Sequence, residues 1–415
     1  MRHTARILIL VLLLSLVSGK AAAAELKVAG KSGILMDVAT GTVLWESNAH
    51  ERLAPASVTK VMTMLLIMEA VDSGKIALTD TVTASEAAAA KGGSQVYLKV
   101  GETLSVSEML KCIAVSSAND CACAMAEHIA GSEEAFVGMM NARAKELGME
   151  DTNFVNCTGL DDGPNASEHK TSAHDIALMS RELMKNHPGI KQYTTIWMDS
   201  IRNGSFGLSN TNKLVRFYQG ATGLKTGFTS GAGYCLSATA QREDLELIAV
   251  IMGADTGASR NAACTQLLDY GFANYALVSP ELTETPDVAV TLGKAPSVGL
   301  RLGENGQLLI DKGQKSSVTT RIRLQEPVDA PVSQGQRLGT MEILVGEQIL
   351  SEIPLVAAEA VPRLTWGDLF LEVLKRAAMA KTEKPTASEP HFSGTDLRQG
   401  QRPLSAGHPF QAPRH

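Results

Sequence analysis

The residues best suited to chemistry in this chain begin with a serine and a lysine three positions apart, Ser57 and Lys60. A proline-containing turn precedes Ser57, and a mostly apolar run follows Lys60 over residues 61–68. If that run is a helix, both side chains lie on one face of its first turns. A serine hydroxyl needs a base to attack a carbonyl group near neutral pH, and a neutral lysine amine can be that base. The pair therefore predicts an activated nucleophile that requires no histidine.

Two further polar motifs are placed where they can face this serine. Ser117 and Asn119 interrupt two segments of helical periodicity, so they are predicted to lie on a short connection that presents its side chains. Lys225, Thr226 and Gly227 begin a β-like segment that leads into a hairpin. The order and the local context of the three motifs agree with one shared site.

Chance copies of two of these patterns are present elsewhere in the chain. A second SxxK pattern begins at Ser167, and a second SxN pattern begins at Ser259. Ser167 lies in a polar loop rather than at the start of an apolar helix, and Ser259 follows the KTG motif instead of preceding it. We therefore assign no role to either copy.

The expected roles follow from charge and hydrogen bonding. Lys60 is a general base only when it is neutral, and both burial and a second cation such as Lys225 lower the pKa of a lysine. Ser117 can then relay a proton between the lysines and a leaving amine. Asn119 can offer its amide to the substrate and fix Lys60. The backbone N–H of Ser57 is an expected donor to the oxyanion, aided by the helix N-terminus.

These residues require a scaffold of helices packed against an antiparallel sheet. Residues 32–45 and 223–252 have β-like patterns, whereas residues 79–150 are mostly helical in periodicity. Strands followed by helices and then by strands are typical of an α+β domain. We predict that this catalytic domain spans residues 25–280.

The chain after residue 280 changes in character. Short β-like runs separated by glycine, proline and aspartate predict a small all-β, sandwich-like domain over residues 281–361. The pattern of residues 362–380 predicts an amphipathic helix that is too short and too charged to span a bilayer. We expect this helix to lie on a membrane surface. The alternative is that it docks on the β domain. Residues 381–415 are rich in proline, serine, glycine and charge, and are predicted to be disordered.

The N-terminus has the layout of an export signal. A positively charged start, a short apolar segment and four alanines predict a signal peptide over residues 1–24, cleaved near Ala24. The alternative is an N-terminal anchor helix, which Lys20 and the short apolar run disfavour. We expect the mature protein at the outer face of the cytoplasmic membrane, in the cell wall space.

Composition disfavours several other classes of protein. The net charge is −6, and no basic stripe interleaved with aromatics indicates nucleic acid binding. No cluster at metal-ligand spacing predicts a metal site, no motif calls for a cofactor, and we give no role to His128, His169 or His174. The six scattered cysteines favour buried free thiols, with one or two disulfides as the alternative.

The three motifs together resemble the set found in serine β-lactamases and penicillin-binding proteins. Residues 115–127 and 223–240, and the domain plan over residues 25–380, look like the low-molecular-mass D-alanyl-D-alanine carboxypeptidases of peptidase family S11. The resemblance implies a penicillin-binding/serine β-lactamase-like fold and removal of the terminal D-Ala from peptidoglycan pentapeptide through an acyl-Ser57 intermediate. It also implies covalent inhibition by β-lactam antibiotics.

The resemblance also assigns residues to the substrate, a stem peptide that ends in D-Ala-D-Ala. Lys225 and Thr226 would bind its terminal carboxylate, and Gly227 would leave room for its backbone. Phe228 would supply a second backbone N–H to the oxyanion. Arg260 matches an arginine that helps to hold the carboxylate, although its alternative is a solvated surface arginine.

Other functions remain open. A β-lactamase shares the motifs, but class A enzymes carry a glutamate-bearing loop that the segment around Glu168 does not match convincingly. A non-catalytic β-lactam-sensing or cell-wall-binding protein would not need both lysines. An endopeptidase that cuts peptide crosslinks has the same sequence features as a carboxypeptidase.

Overall fold

The computed structural model describes residues 26–163, 165–282, 287–325 and 327–380. The predicted signal peptide and the predicted disordered tail lie outside the described residues. The strands, in chain order, are β1 (Ser32–Asp37), β2 (Val43–Ser47), β3 (Thr81–Thr83), β4 (Thr103–Ser105), β5 (Met198–Ile201), β6 (Phe206–Ser209), β7 (Ala221–Thr229), β8 (Gly233–Arg242), β9 (Leu245–Ala254), β10 (Tyr275–Val278), β11 (Val288–Thr291), β12 (Ser297–Val298), β13 (Leu300–Leu302), β14 (Leu308–Asp311), β15 (Val318–Leu324), β16 (Val328–Asp329), β17 (Arg337–Val345) and β18 (Gln348–Ala357). The α-helices are α1 (Lys60–Asp72), α2 (Glu86–Ala89), α3 (Val106–Ser116), α4 (Asn119–Ala130), α5 (Glu133–Glu146), α6 (Ala173–Asn186), α7 (Lys191–Thr194), α8 (Leu214–Phe217), α9 (Gly257–Asn274) and α10 (Trp366–Ala380).

A five-stranded antiparallel sheet with the order β2-β1-β9-β8-β7 forms the centre of the first 280 residues. Strand β9 is buried along its whole length. Its alternate side chains enter two cores, with Val250 facing the helical core that contains α1 and Ile251 facing the core beneath α9. The sheet is therefore covered on both faces, and the predicted α+β class is confirmed.

Helix α1 lies at the centre of the helical layer. Its residues from Lys60 to Met68 are all buried, and a helix that is apolar on every side is typical of a domain core. This burial places the amine of Lys60 inside the protein. Ser57 itself lies in a 3₁₀ turn, Ala56–Thr59, that leads directly into α1.

The region predicted to be mostly helical, residues 79–150, also contains β structure. Strands β3 and β4 pair as a two-stranded antiparallel ribbon. Each strand has only three residues, with one buried side chain, so period-2 alternation is too brief to detect in the sequence.

The second part of the chain is built from small sheets around one apolar core. A three-stranded sheet has the order β12-β11-β16, and a four-stranded sheet has the order β13-β18-β17-β15. Their inward side chains, such as Val290, Leu338 and Leu355, form that core. Strand β14 lies within residues 281–361, the predicted small domain, but pairs with β10 at the end of the first part.

Helix α10 ends the described chain. An ion pair between Lys294 and Asp368 attaches its first turn to the β region. Its apolar side chains Trp366, Phe370 and Val373 are exposed, so docking of this face on the β region is not observed. Across the described ranges, every helix is too short or too polar to traverse a bilayer.

Candidate active site

Ser57 and Lys60 meet at the start of α1, as predicted. The Nζ of Lys60 lies 2.9 Å from the Oγ of Ser57 and donates a second hydrogen bond, 2.8 Å long, to the backbone carbonyl of Thr158. Lys60 is fully buried, and this burial lowers its pKa to about 7, although the carboxylate of Asp120 acts in the opposite direction. A base that is half neutral near pH 7 is therefore in contact with the serine hydroxyl.

Two glycines allow other segments to approach the turn that carries Ser57. A Cβ on Gly159 would lie 1.9 Å from the carbonyl oxygen of Ala56, and a Cβ on Gly227 would lie 2.7 Å from that of Pro55. We expected Gly227 to make room for a ligand backbone, yet the close neighbour is the protein's own backbone. The missing side chain allows β7 to lie directly against the Ser57 turn.

Ser117 lies between α3 and α4, as predicted, whereas Asn119 is the first residue of α4. Ser117 ends α3 in the left-handed region at φ 62°, and its buried Oγ has no hydrogen-bond partner. Asn119 donates its side-chain amide to the carbonyl of Gly92 (2.7 Å) and its backbone N–H to that of Ser94 (2.7 Å). The Oδ1 of Asn119 is buried without a partner. Because buried polar atoms are normally paired, these two oxygens are available to a substrate or to water.

One expected contact of Asn119 is absent. The side chain makes no hydrogen bond to Lys60 in the described structure, because its amide is used by Gly92 and its Oδ1 is unpaired. The backbone carbonyl of Thr158 fixes the lysine instead. No sequence pattern indicates Thr158, since any residue can supply a carbonyl oxygen.

Strand β7 forms the edge of the sheet and carries the KTG motif. Lys225 is almost fully buried, its Nζ donates to the carbonyl of Thr226 (2.8 Å), and the hydroxyl of Thr226 donates to that of Thr211 (2.7 Å). Burial lowers the pKa of Lys225 well below its usual value, and the positive charges of Lys60 and Arg260 act in the same direction. Lys60 and Arg260 therefore both lie close enough to Lys225 to disfavour its charged form.

Arg260 is buried on α9, so the alternative of a solvated surface arginine is wrong. Its side chain is 7% exposed and donates to the Oδ1 of Asn261 (2.9 Å). The guanidinium also lies 5.9 Å from the ring centre of Tyr234, which itself contacts the ring of Phe228 at 4.3 Å. The side chain of Phe228 is half exposed. Arg260 thus extends the cationic end of the site.

One histidine for which the sequence predicts no role contacts the turn that carries Ser57. His169 is buried, and its Nε2 lies 2.7 Å from the hydroxyl of Thr59, two residues after Ser57. The contact joins residues 110 positions apart. No local periodicity in the loop around His169 signals this contact.

The six cysteines are free and buried, which confirms the favoured prediction over the disulfide alternative. Burial raises the pKa of Cys264 to about 12. Thiols of this kind are inert because the nucleophilic thiolate is not formed.

A cavity of about 430 Å³ lies beside the site on the side of Thr158. Its lining includes Lys91, Asn156, Leu160 and Asp162. Gly92, which accepts the hydrogen bond from Asn119, is also part of this wall. The cavity therefore adjoins the predicted catalytic residues and can receive part of a larger molecule.

Comparison with known proteins gives a consistent result. Residues 19–256 match the family model described as D-alanyl-D-alanine carboxypeptidase, and residues 283–363 match that of the penicillin-binding protein 5 C-terminal domain. The chain is 43% identical over 359 residues to the D-alanyl-D-alanine carboxypeptidase DacF of Bacillus subtilis, covering 85% of this chain and 90% of that protein. It is 36% identical to DacC of Escherichia coli, with 80% and 84% covered.

Solved structures agree with this relationship. Penicillin binding protein 5 from Haemophilus influenzae superposes with a TM-score of 0.69 at 30% identity, covering 81% of this chain and 98% of that one. Penicillin-Binding Protein D2 from Listeria monocytogenes, solved in an ampicillin-bound form, has a TM-score of 0.54 at 31% identity, covering 60% of this chain and 98% of that one. Motifs, fold and relatives thus agree, and the chain belongs to the Peptidase_S11 family of D-alanyl-D-alanine carboxypeptidases.

Proposed function

We propose that this carboxypeptidase uses a serine mechanism in which Ser57 is the nucleophile and Lys60 is the general base. The observation that carries the proposal is the buried amine of Lys60, with a pKa of about 7, lying 2.9 Å from the Ser57 hydroxyl. An amine in this state accepts the hydroxyl proton as the oxygen attacks, which is the combination that nucleophilic catalysis without histidine requires.

The acylation step begins at the carbonyl carbon of the penultimate D-Ala. The Oγ of Ser57 bonds to this carbon while its proton passes to Lys60, and the carbonyl oxygen becomes an oxyanion. The backbone N–H groups of Ser57 and Phe228 hold that charge. Ser117, with its buried and unpaired Oγ, relays a proton to the nitrogen of the leaving D-Ala. The C–N bond breaks, and an ester to Ser57 remains.

Water completes the cycle. A water molecule gives up a proton to Lys60 and attacks the ester carbon, and the serine oxygen recovers its proton as the ester opens. The products are the shortened peptide and free Ser57. Because the same lysine is acylation base and deacylation base, both steps require it in the neutral form.

The cationic end of the cleft suits a substrate that ends in a carboxylate. Lys225, Thr226 and Arg260 would bind that group, while Asn119 would meet the peptide backbone. A bound carboxylate would offset the mutual repulsion of the cations and raise the pKa of Lys225 again. Substrate binding would therefore restore the positive charge that holds the substrate.

The same reaction path accounts for β-lactam inhibition. Ser57 would open the β-lactam ring to form an acyl-enzyme, and the amine that leaves would remain tethered next to the ester. The tether blocks the approach of water, so deacylation becomes slow. The ampicillin-bound form of the Listeria relative supports this part of the proposal.

We also propose a location at the outer face of the cytoplasmic membrane. The predicted signal peptide would direct export, and the exposed apolar side chains of α10 would rest on the membrane surface. Vesicles of anionic lipid should sediment the full chain but not a Trp366→Glu/Phe370→Glu double variant. Equal sedimentation of both proteins would contradict the surface role.

The decisive experiment combines labelling with product release. The protein should be labelled by a fluorescent penicillin and should release D-Ala from an acyl-D-Ala-D-Ala peptide, whereas Ser57→Ala should do neither. Ser167→Ala, which changes the serine of the second SxxK pattern, is the matched control and should behave as wild type. Labelling that persists in Ser57→Ala would refute the proposal.

The same assay separates the alternatives. Rapid turnover of penicillin would indicate a β-lactamase. Labelling without D-Ala release would indicate a sensor or a wall-binding protein. Release of monomeric peptides from crosslinked dimers would reveal an additional endopeptidase activity.

A further inference from the structure

A buried imidazole contacts the turn that carries Ser57. The Nδ1 of His169 lies 3.1 Å from the backbone N–H of Val155, which donates to it. A nitrogen that accepts carries no proton, so the neutral ring carries its proton on Nε2. That proton is donated to the hydroxyl of Thr59, 2.7 Å away.

The hydrogen-bond chain continues to the residue before Ser57. The hydroxyl of Thr59 donates to the backbone carbonyl of Ala56 at 2.8 Å. The chain therefore runs from the N–H of Val155 through the ring and the hydroxyl to this one carbonyl oxygen. A backbone N–H can only donate and a carbonyl oxygen can only accept, so the two ends of the chain define its direction throughout.

The carbonyl of Ala56 and the N–H of Ser57 belong to the same peptide group. A peptide group is planar, and in the trans form its C=O and N–H point in opposite directions. Whatever fixes the direction of the Ala56 oxygen therefore also fixes the direction of the Ser57 N–H. This N–H is one of the two donors that our proposed mechanism assigns to the oxyanion.

The turn needs this support. Ala56 adopts φ 48°, a left-handed conformation that is unfavourable for a residue with a Cβ and persists only where surrounding contacts hold it. A glycine at position 159 allows the chain to lie against both the Ala56 oxygen and the Thr59 hydroxyl, which a Cβ there would approach to 1.9 Å and 2.8 Å. Burial, helped by the charge of Lys60, lowers the pKa of His169 to about 4, which keeps the ring neutral and Nδ1 free to accept.

We propose that His169 is a positioning residue, which through Thr59 fixes the Ala56–Ser57 peptide group and so aims the N–H that stabilises the oxyanion. His169 touches neither the substrate nor the reacting atoms. Its effect is confined to the transition state, where the oxyanion exists, and not to the initial non-covalent complex. The inference rests on the proposed role of Ser57.

The test compares two amides that each keep one half of the imidazole's hydrogen bonding. In His169→Asn the amide oxygen can replace Nδ1 toward Val155, but the side chain is too short to reach Thr59. In His169→Gln the amide N–H can replace Nε2 and donate to Thr59. Stopped-flow acylation by a β-lactam then separates the non-covalent dissociation constant from the acylation rate constant, with His174→Asn as the matched control.

We expect the acylation rate constant of His169→Asn to fall by about 10- to 100-fold, since complete loss of an oxyanion donor costs about 10²–10³-fold. The dissociation constant should change by less than about twofold, because the ground state has no oxyanion to bind. His169→Gln should retain the rate within about threefold. Thr59→Val should be as slow as His169→Asn, and the double variant should be no slower, because the two residues act as one unit.

Three results would overturn the inference. The first is an unchanged acylation rate constant in His169→Asn. The second is an equal decrease in the acylation rate constant of the Asn and Gln variants, which would mean that the ring acts only through packing. The third is a decrease in total labelling that arises because a smaller fraction of the protein is active, as counted by active-site titration, while each active site is acylated at the wild-type rate. Labelling of Ser57→Ala would instead refute the proposed mechanism, so the two failures are distinguishable.

Discussion

Replacing Lys60 with methionine should abolish acylation and yet stabilise the protein at pH 6. Burial lowers the pKa of Lys60 from 10.5 to about 7, which corresponds to about 5 kcal/mol of unfavourable free energy for holding the proton in the folded state. Between these two pH values the unfolded chain binds a proton that the folded chain does not. Wild-type stability should therefore rise with pH across this window, by about 1.4 kcal/mol per unit.

The methionine variant lacks this dependence. At pH 6 its free energy of unfolding should exceed that of wild type by about 1–4 kcal/mol, the range of the gains seen when apolar side chains replace buried ionic groups. Between pH 7 and pH 10 this difference in unfolding free energy should fall by about 1.4 kcal/mol per pH unit, or about 4 kcal/mol in total, so that wild type becomes at least as stable as the variant at pH 10. The variant also loses the hydrogen bonds to Ser57 and Thr158. This loss shifts its plot of unfolding free energy against pH by a constant amount relative to wild type, but it does not change the slope of the difference.

Urea unfolding at half-unit pH steps, followed by circular dichroism and tryptophan fluorescence, measures this difference. Lys27→Met removes an exposed lysine and is the matched control, for which the curve should run parallel to that of wild type. A difference in unfolding free energy between Lys60→Met and wild type that stays constant from pH 6 to pH 10 would refute the reasoning. It would mean that the folded protein holds the lysine proton at no cost in free energy.

Three more outcomes are expected. The acylation rate constant, measured by stopped flow, should rise about tenfold per pH unit below pH 7 and level off above it as Lys60 becomes neutral; a flat profile would contradict its role as base. Gly159→Ala should lose most penicillin labelling, because its Cβ would lie 1.9 Å from the Ala56 oxygen, while Gly163→Ala, with no atom within 4 Å of its Cβ, should keep it. A thiol reagent should find no reactive cysteine in the native protein and six in urea, and fewer than six would reveal a disulfide.

The sequence predicted the elements that have a local signature. The start of α1 is readable because an apolar run follows Lys60 directly, and the break at Ser117 is readable because helical periodicity stops there and resumes at Cys121. The hairpin after Lys225 is readable because apolar and β-branched residues continue on both sides of a glycine-containing turn. Local pattern was thus sufficient to find the three motifs.

The contacts that complete the site have no local signature. Thr158 contributes a backbone carbonyl, and His169 contributes a hydrogen bond across 110 positions from a loop without periodicity. The expected contact between Asn119 and Lys60 was chemically reasonable, but the direction of an amide depends on the neighbouring carbonyl of Gly92, which only the fold reveals. Long-range geometry therefore accounts for what the sequence could not provide.

The pairing of β10 with β14 has a consequence for how the protein gains and loses its structure. Strand β10 is the last element of the first part, but its partner β14 is made about thirty residues later, so their two-stranded sheet cannot form during synthesis until that segment emerges. Lys312 and Lys315 reinforce the junction through the carbonyl of Phe272 and the carboxylate of Glu243. The two parts should consequently melt together in one cooperative transition rather than as independent units.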